Sequence, residues 1–195
     1  MTIADDKSLD VIFRNARTHN GWKPEPVDDA LLQKVYDLCK WGPTSANCCP
    51  MRLVFVKSKE AKEKLAPCMD KGNLEKTMAA PATAIIGYDM EFFKPMDKLW
   101  PHGGGKYFAG KPAAELEVIA LRNGSLQGAY FMLAARSLGL DCGPMSGFNN
   151  AKIDETFFAG TKVKSNFLCN LGYGDASKLY PRGPRLDFNE ACKIE

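Results

Sequence analysis

Trp41-Gly-Pro-Thr-Ser-Ala-Asn-Cys-Cys-Pro50 is densely polar, yet it joins two apolar segments. Upstream, Leu31, Leu32, Val35, Leu38 and Cys39 recur at helical spacing, and Gly42-Pro43 stops that helix. Downstream, Leu53-Val-Phe-Val56 has the β-branched and aromatic composition of a buried strand. The stretch is therefore a helix-to-strand junction. Pro43 opens it, and Thr44, Ser45 and Asn47 set three short polar side chains within four residues. These either bind a polar ligand or satisfy the turn's own backbone groups.

With 195 residues, 45% of them hydrophobic, the chain is long enough to bury about 70% of its unfolded surface in one core. A single domain over residues 1–195 is expected. No run approaches the roughly 18 apolar residues that a membrane span needs, and Met1-Thr-Ile-Ala-Asp-Asp-Lys7 lacks a signal-peptide apolar segment. A soluble cytoplasmic protein is the expectation, with neither membrane nor nucleic acid as partner. The 26 basic and 23 acidic residues give a net charge of +3 and are dispersed, unlike the clustered footprint of a nucleic-acid binder. Seven cysteines without CxxC spacing read as free thiols in a reducing compartment, with neither disulfide nor structural metal. Cys48 and Cys49 are assigned to packing. The two histidines, His19 and His102, lie outside any nucleophile-elbow context.

Residues 8–18 read as an amphipathic helix capped by Ser8, which delivers Arg17-Thr-His-Asn20. Those residues suit a phosphate, through a forked guanidinium and short polar groups, or a solvated helix end. Asp28 caps the helix leading to the opening junction. Residues 59–68 and 71–78 are helical, and in the second Asn73 and Lys76 share a face, either as a binding pair or as a solvated one. Residues 82–88 form a second apolar strand behind Pro81. Residues 89–111 mix Trp100, His102, Lys106 and Phe108 with proline and glycine, and read as an irregular insertion that lids a pocket or packs on the surface.

From Pro112 to Gly139 runs the longest helical pattern, apolar on more than one stripe and so expected to be buried on several sides, a partner subunit included. Gly124 and Gly128 within it allow close approach of another backbone. Leu140-Asp-Cys-Gly-Pro-Met-Ser-Gly-Phe148 reads as a brief strand breaking into a turn with backbone donors to offer. A short helix at residues 153–158 and a strand at residues 166–171 follow. Residues 175–195 form an extended tail in which Arg182 and Arg185 contact an anion or remain solvated.

Together these are cations at Arg17, Lys76, Arg182 and Arg185, two amide-rich loops and a turn of bare peptide groups. That inventory suits flavin mononucleotide (FMN), whose phosphate takes arginines and whose ribityl and ring oxygens take amides and hydroxyls. Neither a Walker lysine loop nor GxGxxG after a strand is present. Over nearly its whole length the chain resembles the FMN-dependent nitroreductase family. The resemblance is carried by Arg17-Thr-His-Asn20 with Trp22, by Pro43-Thr-Ser-Ala-Asn47 with Pro50, by Gly72-Asn73 with Lys76, by Gly143-Pro-Met-Ser-Gly-Phe148 and by Arg185-Leu186. More narrowly, Arg17-Thr-His-Asn-Gly-Trp22, Trp41-Gly-Pro-Thr-Ser-Ala-Asn47, Gly143-Pro-Met-Ser-Gly-Phe148 and Gly172-Tyr-Gly-Asp-Ala-Ser-Lys-Leu179 are similar to its malonic semialdehyde reductase branch, associated with pyrimidine degradation.

The resemblance implies an α+β sandwich, a mixed, mostly antiparallel central sheet flanked by helices, in an interlocked homodimer with FMN at the subunit interface. Arg17, Thr18, Asn20 and Arg185, joined by His19 and Arg182, would hold the phosphate and ribityl end. Pro43, Thr44, Ser45 and Asn47 would come from the other subunit, while Asn73 and Lys76 would face the pyrimidine edge. Gly143, Pro144, Met145, Ser146 and Gly147 would cover the ring face, and Trp100, His102, Lys106 and Phe108 would meet the substrate. Two positions depart from the family pattern: Asn20 stands where many relatives carry Arg or Lys, and Ser146 where many carry Glu. The implied activity is ping-pong hydride transfer from NADH or NADPH, with no catalytic side chain, reducing malonic semialdehyde to 3-hydroxypropionate. Nitroaromatic, quinone or enone reduction, and flavin binding without turnover, are the alternatives.

Overall fold

The computed structural model describes residues 2–195. Its centre is a four-stranded sheet of β1 (Met51–Val56), β2 (Ala82–Asp89), β3 (Asp141–Met145) and β4 (Val163–Gly172), in the order β1-β2-β4-β3. All three pairings are antiparallel. The parallel contribution expected of a mixed sheet is limited to an isolated bridge between Thr18 and Cys142. A bulge between Ile86 and Gly87 leaves Asn166 as the extra residue of β4.

β2 is buried from Ala82 to Tyr88 because both of its faces are covered. Ala82, Ala84 and Ile86 point into one cluster with Val35 and Cys39 of α2 (Asp29–Cys39) and Phe131 of α7 (Ala113–Ser137). Ile85 points to the other side, with Leu65 of α3 (Lys59–Leu65) and Ile153 of α8 (Asn150–Phe157). Ile85 and Ile86 are fully buried, and each contributes about 1.5–3 kcal/mol of hydrophobic stabilisation.

α7 starts and stops where Pro112 and Gly139 predict, but in the single chain it is buried along one stripe only. Gly124 and Gly128 bring it down on its own sheet: a Cβ on Gly128 would lie 2.6 Å from the Phe167 ring, and one on Gly124 3.1 Å from Tyr88 Cβ. Val118, Leu121, Leu126 and Tyr130 face outward. So do Tyr36, Leu38 and Trp41 at the end of α2, the last 79% exposed.

The N-terminal helix differs from expectation. α1 (Asp6–Leu9) is capped by Asp5, whose side chain accepts from the Ser8 amide, and it passes into a π-turn over Asp10–Arg14 closed by Asn15 N–H to the Asp10 carbonyl at 2.8 Å. Asp5, and not Ser8, is thus the cap, and Ser8 lies inside the first turn. The insertion at residues 89–111 is more regular than expected, with α5 (Met96–Leu99) and α6 (Gly104–Ala109). It has its own apolar centre, in which Phe92 and Phe108 meet edge-on at 5.2 Å beside Met96, Leu116 and Ala120.

α4 (Lys71–Ala79) is fixed at its C-terminus by the buried ammonium of Lys62. Lys62 donates to the Thr77 carbonyl at 2.8 Å, to the Met78 carbonyl and to the Ala80 carbonyl. These carbonyls lack intrahelical partners, and a cation belongs at that end of the helix dipole. Among the described residues, no helix is long and apolar enough to cross a membrane.

Candidate functional site

β3 is the edge strand beside which the motif residues gather. The His19 amide donates to the Cys142 carbonyl at 3.0 Å, and this bond lays the segment after Arg17 along β3. Gly143 permits it, since a Cβ there would stand 2.6 Å from the His19 carbonyl oxygen. Two clefts flank this contact. One, of about 470 Å³, is lined by Arg17, Thr18, Asn20, Arg136, Arg182 and Arg185. The other, of about 540 Å³, is lined by Trp22, Gly72, Lys76 and Lys178. Asn20 and Tyr180 belong to both, so the two form one groove from a cluster of arginines to a lysine.

Among the described residues, no carboxylate lines the arginine end of the groove, whereas Glu75 stands with Lys76 and Lys178 along the other end. Arg17 donates to the Tyr180 carbonyl, Arg182 to the carbonyls of Arg14 and Ala16, and Arg185 to those of Gly183 and Pro184. Neutral carbonyls position these guanidiniums without cancelling their charge. At the far end, Lys76 Nζ lies 3.2 Å from Asn20 Oδ1, and burial pushes the lysine pKa down. The α4 backbone behind Lys76 is fixed: its carbonyl accepts from Trp22 Nε1 at 3.1 Å and from Asn170 Nδ2 at 3.3 Å.

Asn73 Nδ2 donates to the Gly147 carbonyl at 2.8 Å, and the Asp70 amide donates to the same oxygen. α4 thereby holds the turn after β3. That turn is shorter than expected. Gly143, Pro144 and Met145 remain in the strand, where Pro144 is tolerated on an edge, and Ser146 and Gly147 alone leave it. Met145 is packed inward, accepting from Thr77 Oγ1 at 3.4 Å.

Two side chains expected at the site are elsewhere. His19, 6% exposed, turns away from both clefts, with Nε2 3.3 Å from Asp141 Oδ1 and its ring against Trp22 and Gly174. Extended backbone alternates its side chains, so with Thr18 and Asn20 lining the groove His19 faces inward and contributes only main-chain groups. Phe108 is buried in the insertion's own centre and serves packing rather than an accessible surface. Trp100 is half-buried against Gly104, while His102 and Lys106 are exposed.

Pro43, Thr44, Ser45 and Asn47 are not brought to this groove. They lie ahead of β1 at the opposite edge of the sheet and the opposite end of the strands, since Met51 pairs with Tyr88 whereas Cys142 pairs with Leu171. The separation is roughly 24 Å along the strands and about 14 Å across them. There the Ser45 amide donates to Asn123 Oδ1 at 2.8 Å, and Asn47 Nδ2 donates to the Leu99 carbonyl at 2.9 Å. Ala46, Asn47 and Cys49 all take positive φ of 40–53°, a conformation that non-glycine residues hold only when their surroundings impose it. Cys48 is buried, which pushes its thiol up to about 11 and leaves it unreactive.

A further concavity, about 1080 Å³, lies apart from these motifs, between α2 and the outer edge of β1. Its cations are already paired, Arg52 with Asp89 and Lys57 with Asp29. Its wall is otherwise mostly apolar and aromatic, including Leu32, Tyr36 and Phe55.

The model of the nitroreductase family matches residues 14–173, from the π-turn to the end of β4. The chain belongs to the nitroreductase family. Among curated relatives of this nitroreductase, a Burkholderia lata protein named "Putative NADH dehydrogenase/NAD(P)H nitroreductase" is 58% identical over 196 residues, covering 100% of both chains. Solved structures share the fold at lower identity. A "putative nitroreductase in complex with FMN" from Exiguobacterium sibiricum superposes with a TM-score of 0.86 at 19% identity, covering 100% of this chain and 99% of that one. CLA-ER, an enone reductase of gut-bacterial fatty acid saturation, gives 0.85 at 18% identity, covering 98% and 99%.

Arg136 and Tyr180 also line the groove, yet neither was singled out from the sequence; Trp22, quoted there only within a motif, braces it. For Arg136 a signal was available. It is the one charged residue between positions 123 and 140.

Proposed function

We propose that this nitroreductase is an FMN-dependent NAD(P)H oxidoreductase that reduces malonic semialdehyde to 3-hydroxypropionate. The observation that carries the FMN reading is the continuous groove with uncompensated arginines at one end and a half-buried lysine at the other. It fits a ligand with a phosphate at one end and a polar heterocycle at the other. Arg17, Arg182 and Arg185, with Thr18, hold the phosphate; Asn20 reaches the ribityl chain; Lys76 and Asn73 meet the ring edge; and Ser146 and Gly147 offer peptide groups to the ring face. Bound FMN supplies hydride acceptance from NADH or NADPH and delivery to an electrophile in alternating half-reactions. The chain's own contribution is positioning and charge, for which no nucleophilic side chain is needed.

The site is completed by a second copy of the chain, which brings Pro43, Thr44, Ser45 and Asn47 to the groove. Supporting this are the outward apolar residues of α7 and α2, the unpaired outer edge of β1 with its adjoining cleft, and the exposed residues 181–195, which carry Leu186, Phe188 and Ile194. An interlocked homodimer accounts for all three. The seven cysteines are free, which suits a reducing, cytoplasmic setting.

The aldehyde-acid substrate rests on the motif resemblance, and a cation at Lys76, His102 or Lys106 is available for its carboxylate. Steady-state kcat/KM with NADH or NADPH tests it: malonic semialdehyde is expected to exceed nitrofurazone, with 3-hydroxypropionate as product. The second reading, a broad nitroaromatic, quinone or enone reductase, is favoured by the nitroreductase name of the Burkholderia lata relative. It predicts the opposite order.

A further inference from the structure

The guanidinium of Arg136 is the least explained charge in the molecule. It sits in the last turn of α7 and lines the arginine cleft. Its Nε is buried with no hydrogen-bond partner, and among the described residues no carboxylate lies within ion-pair distance of it. A guanidinium has five N–H donors that cannot be silenced by deprotonation. Leaving it half-buried without an acceptor is unfavourable.

The ordinary role of an arginine at a helix C-terminus is to satisfy the last carbonyls. Here three of the last four are already taken, and Arg136 donates to none of them. The Ala134 carbonyl accepts from Ser137 Oγ and the Leu138 amide, the Ala135 carbonyl from the amides of Leu138 and Leu140, and the Arg136 carbonyl from the Gly139 amide. Arg136 is therefore not a cap, and its acceptor is not part of the chain.

We propose that Arg136 is a phosphate-binding residue, the inner anchor of a four-arginine cleft that selects phosphorylated over unphosphorylated flavin. Arg17, Arg182 and Arg185 reach the cleft from segments outside regular helices and strands, and each spends donors on backbone carbonyls. Arg136 comes from the rigid 25-residue helix with all its donors unspent. A fork held on a regular element, with no protein partner to give up, suits a bidentate grip on a phosphate dianion. The inference rests on the FMN reading above.

The test compares FMN and riboflavin binding to deflavinated full-length protein by fluorescence titration, for wild type, Arg136→Met and Arg136→Gln. Both variants are expected to weaken FMN about 10- to 100-fold, as loss of a charge-assisted bond does, and to change riboflavin affinity less than twofold. The flavin-free unfolding midpoint is expected to hold or rise, since no internal contact is lost. Unchanged FMN affinity would overturn the proposal, as would equal weakening of both flavins or a lowered flavin-free midpoint, each the mark of a structural role. Should Arg136→Met fail to fold, Arg136→Gln carries the same expectations. If wild type itself binds FMN no better than riboflavin, the phosphate cleft is wrong, a result visible before any variant is read.

Discussion

Lys76 Nζ stands 3.2 Å from Asn20 Oδ1, and through this contact α4 and the segment after Arg17 share one groove. The lysine is the ring-end charge of the proposed site, and its burial concentrates that charge. Lys76→Ala is expected to lower kcat/KM for NADH about 100-fold, the scale for removing one preorganised electrostatic group. Asn20→Ala, which leaves the ammonium in place, is expected to cost about tenfold. Steady-state kinetics on both variants checks the order; activity in Lys76→Ala equal to wild type would remove the lysine from the site.

Gly143 faces the His19 carbonyl with no room for a methyl group. Because the obstacle is backbone, Gly143→Ala is expected to cost about 1–3 kcal/mol and to loosen the Thr18 to Cys142 bridge. Flavin content in the purified variant is expected to fall together with its thermal midpoint. A stable variant with full flavin content would show that the groove does not depend on this register.

The Lys62 ammonium at the end of α4 is pushed down to about 8 by burial, from 10.5. Between those two values the unfolded chain binds more protons at this position than the folded chain. The Lys62 contribution to unfolding free energy therefore rises with pH from about 8 to about 10.5. Urea unfolding at several pH values checks this: wild type minus Lys62→Met is expected to climb across the window. A flat or falling difference contradicts it.

Most of the fold was legible locally. Pro112 and Gly139 bound α7, Asp28 caps α2, and the apolar runs became β1, β2 and β4, because caps, breakers and periodicity act over a few residues. What escaped depends on partners far along the chain. Pro144 looks like a strand breaker until β3 is found at a sheet edge. His19 looks like a ligand until the pleat turns it toward Asp141. Phe108 looks like lid surface until Phe92 closes over it. Arg136 drew no reading from the sequence, and its place in the cleft emerges only when α7 packs beside Arg17 and Arg182. Of the proposed site, the groove of Arg17, Thr18, Asn20, Lys76, Arg182 and Arg185 assembles within one chain, whereas residues 43–47 do not.

That separation ties flavin binding to association. Leu121 and Leu126 lie on the outward side of α7, so Leu121→Glu with Leu126→Glu is expected to give a species of one 21.5 kDa chain in place of two, and to lose bound flavin. Light scattering and the flavin-to-protein ratio check both. A monomer that keeps its flavin would show that one chain suffices.

The account stands most directly on the visible spectrum of the purified protein, recorded anaerobically before and after stoichiometric NADH or NADPH and again after malonic semialdehyde. The predicted result is a bound-flavin band that bleaches with at least one nucleotide and returns with the aldehyde, from protein that is dimeric in solution. A colourless protein that takes up no FMN would contradict the central claim, and a band that persists under both reductants would mark a flavin-binding protein without turnover.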